Sequence, residues 1–542
     1  MKKTLEIFTA SSNYPSARVI IDEEKSIHLH STVHPEYESK YFSNIAFWGD
    51  TIVFVGIGVG YHLIDAIKKL TSNKSIIIIE NFKELAINAE QEFFCNQKEK
   101  PQNILPETSK DSLSKIVENV TGKIQFIKHP ASYSINPVFF DTIIENLSKK
   151  NSSQNNNISA KTKKILLLKH SFFLESEIAR AFDNQSDIEV IEFNYGDNSN
   201  SYQYEEKLQK TIILNNPDLI VSVNMKGFDG DGALASISNR FGIAVAVWFV
   251  DDPHPILLHQ SQFIKSNFHA FCWEHSYLDF LKKHNFASVN YLPLATDLSI
   301  FQNRKNKATI NVGFVGSSMG NMFLNSIKSK FLWQENLNKL SEISSNTLLE
   351  NPQFDVYEII EKIAKQMNTP LPFQDRRNIT WLCSYIIHLT SMKKRVKTIQ
   401  SLNNKNVEIF GDPTGWQKLL NSNFILHENI DYNNKLCQTY QSIAINLNIT
   451  SSQMKTALNQ RVFDIPASGS FLITDYQKDL DELFEIDKDI ITYRNIEELN
   501  DKVNFYTKNL KTREEIVTSA IDTIKSRHTY SHRVSKILET IF

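Results

Sequence analysis

Short, largely apolar runs recur along this chain, alternating with stretches of helical periodicity. TIVFVGIGVGYHL (51–63) and SIIIIE (75–80) come first. KILLLKH (164–170), DIEVIEF (187–193), DLIVSVN (218–224), IAVAVWFVDDP (243–253), HAFCW (269–273) and SVNYLPLA (288–295) follow. INVGFVGS (310–317), NVEIFGD (406–412), FILHENI (424–430), SIAINLN (442–448), GSFLITD (469–475) and DIITY (489–493) complete the series. A strand that is apolar on both faces must be covered on both faces, and the helix after it supplies the crossover that parallel neighbours need. The pattern predicts an α/β protein of doubly wound parallel sheets. At 542 residues the chain exceeds one hydrophobic core, and the runs fall into three serial groups.

The groups suggest boundaries. Residues 149–163, KKNSSQNNNISAKTK, offer almost nothing to bury and read as a linker. A Rossmann-like unit is expected over 1–148, a second over 164–305 and a third over 306–542. A helical stretch at about 321–402 interrupts the third, and the last 50 residues read as charged helices.

Composition narrows the function classes. Lys+Arg at 59 against Asp+Glu at 61 leave a net charge of -2, which argues against a broad nucleic-acid-binding surface. Cys95, Cys272, Cys383 and Cys437 are far apart in sequence and form no CxxC pair. No metal site or disulfide framework is expected, and a reducing cytosol fits. The N-terminus lacks the apolar core of a signal peptide, and no run approaches the roughly 20 apolar residues of a spanning helix. The expectation is a cytoplasmic protein without a membrane span; its oligomeric state is left open.

Ligands of doubly wound sheets bind beyond the carboxyl ends of the strands. The loops there include NMKGFDGDG (224–232), VDDPHP (250–255), GSSMGN (316–321) and GDPTGW (411–416). In LNQRVFDIPASGSFLITD (458–475), Asp464 should sit in a helix with Arg461 one turn earlier on the same face. The carboxylate suits the hydroxyls of a ribose and the arginine fork suits a diphosphate; an Arg–Asp staple within the helix is the alternative. Asp251 and Asp252 are either catalytic or the turn before Pro253. Asp229-Gly230-Asp231 reads as a turn rather than a metal-binding DxD. His528 and Arg533 read as bracing on a terminal helix, and Lys393, Lys394 and Arg395 as a solvated face.

At this point the segments show a resemblance. Val247–Pro253 (VWFVDDP), Tyr291–Ala295 (YLPLA), Val312–Gly316 (VGFVG), Asn446–Asn448 (NLN), Asn459–Gly469 (NQRVFDIPASG) and His528-Thr529-Tyr530 with Arg533 resemble the CgeB-type (spore-maturation-like) glycosyltransferases, over residues 163–542. The resemblance implies a GT-B fold, two facing Rossmann-like domains, behind the additional N-terminal one. It implies a nucleotide-sugar donor held by the C-terminal domain through Gly316, Ser317, Ser318, Asn448, Asn459, Arg461, Asp464 and Gly469, and an acceptor held by the preceding domain. The donor is a substrate; no tightly bound cofactor or metal is implied. In the broad retaining group an acid pair frames this region; Asp464 matches the second acid, but Thr456 stands at the first. Two mechanisms stay open, with retention placed ahead of inversion. In retention the leaving diphosphate draws the proton, and Arg461 with N–H groups near Gly316–Ser318 stabilises the leaving charge. In inversion Asp251, Asp252 or His254 is the base.

In the N-terminal unit, Gly56, Gly58 and Gly60 follow an apolar strand and Glu80 ends the next one, a spacing compatible with a nucleotide or S-adenosylmethionine loop. The segment resembles the GxGxGY region of the Maf-type flagellin-modifying proteins. Together the resemblances imply transfer of a sugar to a hydroxyl of a protein, a flagellin or surface protein, or of a surface glycan. The alternatives are a fused methyltransferase and glycosyltransferase, a sugar-nucleotide epimerase, and a GT-B-fold interaction protein without chemistry.

Overall fold

The computed structural model describes the chain except for residues 1–2, 22–25, 43–46, 64–73, 90–102, 106–119, 121, 154–161, 171–173, 195–200, 304–307, 331–334, 370, 372–375 and 422. It divides into two compact units. One comprises Met1–His170, Ile191–Ile220 and Gly227–Ala244; the other comprises Ser171–Val190, Val221–Lys226 and Val245–Phe542. Cys95, the continuation of the expected helix to Leu70, and most of the expected linker lie outside the described residues. Of that linker, 149–153 belong to the helix Pro137–Ser153, and Lys163 opens a strand.

The N-terminal part carries two sheets. β1 (Thr4–Thr9), β2 (Pro15–Ile20) and β3 (Ser26–His28) form an antiparallel sheet that no long apolar run announced. β4 (Thr51–Val55), β5 (Ser75–Ile79), β6 (Asn103–Leu105) and β7 (Ile124–Lys128) form a parallel sheet in the order β6-β5-β4-β7. Every residue of β4 and β7 is buried. Val53, Val55, Ile77, Ile79 and Phe126 pack with Phe140, Ile144 and Leu147 of the helix Pro137–Ser153.

Two further parallel sheets follow. β8 (Lys163–Lys169), β9 (Ile188–Asn194), β10 (Leu219–Val223), β11 (Ala244–Phe249), β12 (Phe268–Cys272) and β13 (Ser288–Tyr291) stand in the order β13-β12-β11-β10-β8-β9. β14 (Ile310–Val315), β15 (Val407–Phe410), β16 (Ile425–His427), β17 (Ile443–Asn448), β18 (Leu472–Asp475) and β19 (Ile491–Tyr493) stand in the order β16-β15-β14-β17-β18-β19. The last is the dinucleotide-fold order, with its reversal between β14 and β17. The fold class is α/β, with two successive Rossmann-like parallel sheets preceded by a further parallel sheet. Among the described residues no helix is long and apolar enough to cross a membrane.

The helical interruption has a core of its own. Leu324, Leu337, Leu340, Ile360, Ile363, Leu382 and Ile386 join helices Asn321–Lys328, Asn336–Glu350, Val356–Gln366 and Arg376–Gln400. The last of these, 25 residues long, ends in a different core: Val396 and Ile399 pack with Val312, Phe314, Ile409 and Ile445 of the third sheet. It therefore couples the insertion rigidly to the loop after β14.

One glycine of the N-terminal loop tests how tightly that region is built. Gly58 has φ +54, and a Cβ there would stand 2.2 Å from Nε2 of His30. Gly58→Ala is expected to cost on the order of 1–3 kcal/mol in urea unfolding, since the backbone is strained and the neighbour is buried. Gly230→Ala, with nothing within 4 Å of the added carbon, should stay within about 0.5 kcal/mol of the parent. Equal losses in the two would contradict the packing around Gly58.

Candidate active site

The crevice of the third sheet opens where its strand order reverses, so the loops after β14 and β17 should hold a ligand. The first loop is narrow at Gly316: an added Cβ would meet Phe314 Cζ at 2.9 Å and Arg461 Nη2 at 3.3 Å. Trp416 Nε1 donates to the Gly316 carbonyl at 3.0 Å. Ser318 is buried; its hydroxyl and N–H both go to the Asp412 carboxylate, and its oxygen accepts from Gly320 N at 3.0 Å. Ser318 thus shapes the loop, while Ser317 faces solvent. Ser317 also lines a cavity of ≈ 480 Å³ with Gly320, Met322, Phe323, Asp412 and Lys418.

Two arginines converge on this loop. Arg395, assigned to a solvated face from the run Lys393-Lys394-Arg395, is only 3% exposed, which corrects that reading. Its Nη1 donates to the Ser317 carbonyl at 2.7 Å, and its buried Nε has no hydrogen-bond partner. Lys393 and Lys394 are half-buried too and ion-paired with acids, Lys393 with Glu342 at 2.6 Å and Lys394 with Asp475 at 2.6 Å; the third member turns inward where the long helix leaves one core for the other. Burial first, then the positive charge of Arg461, pushes the Arg395 guanidinium down to about 9, against the pull of Asp475. Arg461 forms no hydrogen bond or ion pair among the described residues; the alternative Arg461–Asp464 staple is not made.

The loop after β17 is held by polar side chains. Asn459 Nδ2 donates to Asn448 Oδ1 at 2.9 Å, and Asn448 Nδ2 donates to Thr474 Oγ1 at 3.0 Å. Both asparagines are buried and position the loop, while Asn459 Oδ1 stays without a partner. Arg461 opens the helix Arg461–Ala467. Gly469, φ +79, ends it: its N–H goes to Pro466 O at 2.9 Å and Ser470 N–H to Ile465 O at 3.2 Å, the paired bonds of a Schellman cap. Asp464 is buried and accepts from Thr296 Oγ1 at 2.7 Å and from Tyr432 OH at 3.5 Å. Burial, reinforced by the charge of Glu177, holds its carboxyl well above the usual range despite the Thr296 bond.

The residues after β11 divide by role. Asp252 caps the helix Pro253–Gln260, accepting from His254 N at 2.9 Å, and also pairs with His254 Nδ1 at 2.7 Å. The His254 ring stacks on Phe280 at 3.8 Å. Asp251 points elsewhere: Asn224 Nδ2 donates to it at 2.8 Å and Gln453 Nε2 at 3.5 Å. Asn224, at φ 52, is itself locked by the Val250 N–H at 2.8 Å. Burial pushes the Asp251 carboxyl up to about 6, more than these two bonds lower it. Of the other residues weighed, Asp229 accepts from the N–H groups of Asp231, Ala233 and Leu234 and caps a helix. Arg533 donates to the carbonyls of Pro293, Leu294 and Arg527, and to His528 Nδ1 at 3.0 Å. Both C-terminal residues brace.

The N-terminal glycine loop is occupied by its own chain. The Glu80 carboxylate accepts from Ile57 N at 2.7 Å, Gly58 N at 3.2 Å and Asn81 N at 2.7 Å. Gly56 makes room for Ser132, Gly58 for His30, and Gly60 takes φ 101 at the helix entry. Among the described residues, His30, Glu38 and His129 have ligand atoms within 4.8 Å of one another. Val59 N–H donates to His30 Nε2 at 2.7 Å, so the proton sits on Nδ1, 2.5 Å from Glu38. Ser132 N–H donates to His129 Nδ1 at 3.3 Å, so that proton sits on Nε2, 3.9 Å from Glu38. These tautomers follow from the hydrogen-bond network. Both nitrogens facing Glu38 therefore carry protons, whereas a metal ion would need their lone pairs. Burial raises the Glu38 carboxyl, but the two imidazoles outweigh it and hold it at about 2.

Residues 393–539 match the family model Glyco_trans_1_2, described as glycosyl transferase-like. Over these residues the chain is similar to glycosyl transferase-like proteins. The matched segment holds both converging arginines. No curated protein matches the chain. Among solved structures the chain is similar to a glycosyltransferase from Rickettsia africae ESF-5 (10% identity, 71% of this chain and 98% of that one, TM-score 0.44). It is also similar to a sucrose-phosphate synthase from Thermosynechococcus elongatus (8%, 70% and 99%, 0.43) and to T4 phage BGT in complex with UDP-glucose (11%, 70% and 99%, 0.40). With TM-scores below 0.5, these likenesses say nothing of this chain's chemistry.

The raised Asp251 carboxyl carries a stability prediction. Its folded value lies above the unfolded one, so the ionised group costs stability above about pH 6, and the cost vanishes below its unfolded value near 4. Asp251→Asn should therefore melt higher than the parent at pH 7–8, by on the order of 1 kcal/mol after solvent screening, with the gain fading toward pH 4. A gain independent of pH would mean that the environment of Asp251 is wrongly described.

Proposed function

We propose that this protein transfers a sugar from a nucleoside-diphosphate donor to an acceptor hydroxyl. The observation that carries the reading is the pair Arg395 and Arg461 at the reversal of the third sheet. One guanidinium is buried with a single carbonyl partner and the other has none. Unpaired guanidinium groups beside a glycine loop are the arrangement a diphosphate completes, through bidentate charged hydrogen bonds. The adjoining cavity with Ser317, Met322 and Phe323 has room for the nucleoside. Asp464 anchors the helix that carries Arg461 rather than binding ribose, since its oxygens are committed to Thr296 and Tyr432.

In the reaction the acceptor oxygen forms a bond to the anomeric carbon as the bond from that carbon to the diphosphate breaks. The leaving oxygen gains negative charge, which Arg461 and Arg395 stabilise where it develops. The acceptor proton goes to Asp251, whose value near 6 leaves it ionised at neutral pH and still basic enough to take a proton. With Asp251 as base the displacement takes one step and inverts the anomeric centre, which sets aside the sequence preference for retention. The donor is a substrate, and no step calls on a resident cofactor.

The acceptor is assigned by resemblance alone: a hydroxyl of a flagellin or other surface protein, or of a surface glycan, as the CgeB-type and Maf-type likenesses imply. The free thiols Cys272, Cys383 and Cys437 suit a cytoplasmic setting. A methyltransferase in the N-terminal unit is disfavoured because Glu80 takes the N–H groups that a ligand would need.

Binding is tested by thermal shift with UDP, GDP, dTDP, CMP and S-adenosylmethionine. One nucleoside diphosphate at a hundred times its Kd should add about 2.7 kcal/mol of apparent stability. Arg395→Met and Arg461→Ala should each weaken that ligand roughly ten- to hundredfold, the worth of about 1.5–3 kcal/mol for a charged hydrogen bond. Flat responses from the parent would remove the nucleotide site. For the chemistry, the rate should fall as pH drops below about 6, Asp251→Asn should abolish that limb along with turnover, and NMR of the product should show the inverted anomer. A retained anomer would assign the proton to the leaving diphosphate instead.

A further inference from the structure

Glu274 lies two residues beyond β12, at the carboxyl end of the second sheet, and is fully buried. Its carboxylate binds a loop of the third sheet. Oε2 accepts from three successive N–H groups, Lys455 at 2.9 Å, Thr456 at 3.0 Å and Ala457 at 2.9 Å. Oε1 accepts from Thr456 Oγ1 at 2.7 Å and from Ser276 N at 3.0 Å. A carboxylate offers about four lone-pair sites, so these five donors use it completely. No lysine or arginine pairs with it among the described residues. Burial pushes the carboxyl up, but the N–H groups of Ser276, Thr456 and Ala457 and the Thr456 hydroxyl outweigh it, leaving Glu274 below the usual carboxylate range.

The clasped loop connects the groups of the proposed reaction. It starts after β17 and ends at Arg461. Two residues before the clasp, Gln453 reaches Asp251, and the Gln453 carbonyl accepts from Tyr277 OH at 3.0 Å. Two residues after it, Asn459 binds Asn448. Further ties come from the third sheet and the insertion: Thr450 N to Asp475 at 2.9 Å, Ser452 N to Ser391 Oγ at 2.8 Å, Lys455 Nζ to Asp355 at 3.4 Å and Asp479 N to the Thr456 carbonyl at 3.0 Å. Between Gln453 and Asn459, the Glu274 carboxylate accepts three backbone N–H groups and a hydroxyl, while Asp355 pairs with the Lys455 side chain.

We propose that Glu274 is a positioning residue, a carboxylate clasp that holds the loop between Gln453 and Arg461 so that the proton acceptor and the diphosphate-binding arginine keep their spacing. The inference rests on the transferase reading above. Without the clasp, three N–H groups and a hydroxyl lose their acceptor, Gln453 leaves Asp251, and Arg461 loses its fixed approach.

The experiment compares the full chain with Glu274→Gln, Thr456→Val and Thr456→Ser. Hydrogen exchange at Lys455, Thr456 and Ala457 should be slow in the parent and at least tenfold faster in Glu274→Gln. With the nucleotide sugar that the parent accepts, Glu274→Gln should lose at least tenfold in kcat/KM, and its acid limb should move above that of the parent because ionised Asp251 loses the Gln453 bond. Thr456→Val, which removes one of the five donors and guards against a misfolded Glu274→Gln, should show the same changes in smaller measure, and Thr456→Ser should restore them. Unchanged exchange in Glu274→Gln overturns the clasp. Faster exchange with an unmoved acid limb and kcat/KM makes Glu274 a structural brace and overturns the positioning role. If the parent itself neither binds a nucleoside diphosphate nor transfers, the transferase reading falls and takes the positioning role with it, while the exchange result still decides whether the clasp exists.

Discussion

A parallel sheet covered on both faces leaves the chain one place to do chemistry, the carboxyl ends of its strands. The charged groups of the proposed reaction lie there. The central strands are near-continuous apolar runs and act as rigid mounts for the loops that follow them. The loops after β11, β12, β14 and β17 must then carry charge in places where burial penalises it. Asp251, Glu274, Arg395 and Asp464 all stand under that penalty, and each answers it differently: by a modest protonation shift, by five donors, by a single carbonyl, and by a raised affinity for its proton.

The arginines show how this separates structure from function. Arg533 is buried with four acceptor groups around it, three carbonyls and a histidine nitrogen, and joins the terminal helix Tyr530–Ile541 to the segment after β13. Nothing remains for it to bind. Arg395 is at least as buried yet has one carbonyl, and Arg461 has no partner among the described residues. Placing two guanidinium groups together with incomplete pairing costs stability, a cost that the diphosphate of the proposed reaction would offset. The helical insertion acquires a purpose from the same comparison. Its long helix is anchored in two hydrophobic cores, and the residue delivered at the junction is Arg395.

Much of this was legible in the sequence, and the exceptions have physical causes. The strands of the second and third sheets stand where the apolar runs lie, from Lys163–Lys169 to Ile491–Tyr493; the central ones are buried on both faces, which leaves little ambiguity of pattern. The sheet of β1–β3 was not legible, since its strands are short and half exposed. Arg395 was hidden by its neighbours: three successive cations on a helix look solvated, and only the packing of the helix reveals which one turns inward. Asp464 was placed correctly in a helix that ends at Gly469, but its partners, Thr296 and Tyr432, are remote in sequence and no local spacing could name them. Glu274 left no signal at all, because its donors are backbone groups 181–183 residues away.

The same constraint explains why two glycine loops of similar appearance have different standing. At Gly316 the space a side chain would fill is shared with the Arg461 guanidinium, which has no partner among the described residues. At Gly56–Gly60 the space is taken by Ser132 and His30, and the N–H groups are taken by Glu80. Burial raises the Glu80 carboxyl while those N–H bonds hold it down, so the carboxylate and the loop are each other's counterpart, and a ligand anion would have to displace a covalently tethered one. A glycine-rich turn after a strand is therefore evidence of close approach and nothing more. What approaches decides the function, and here the two loops differ in whether the chain has already supplied it.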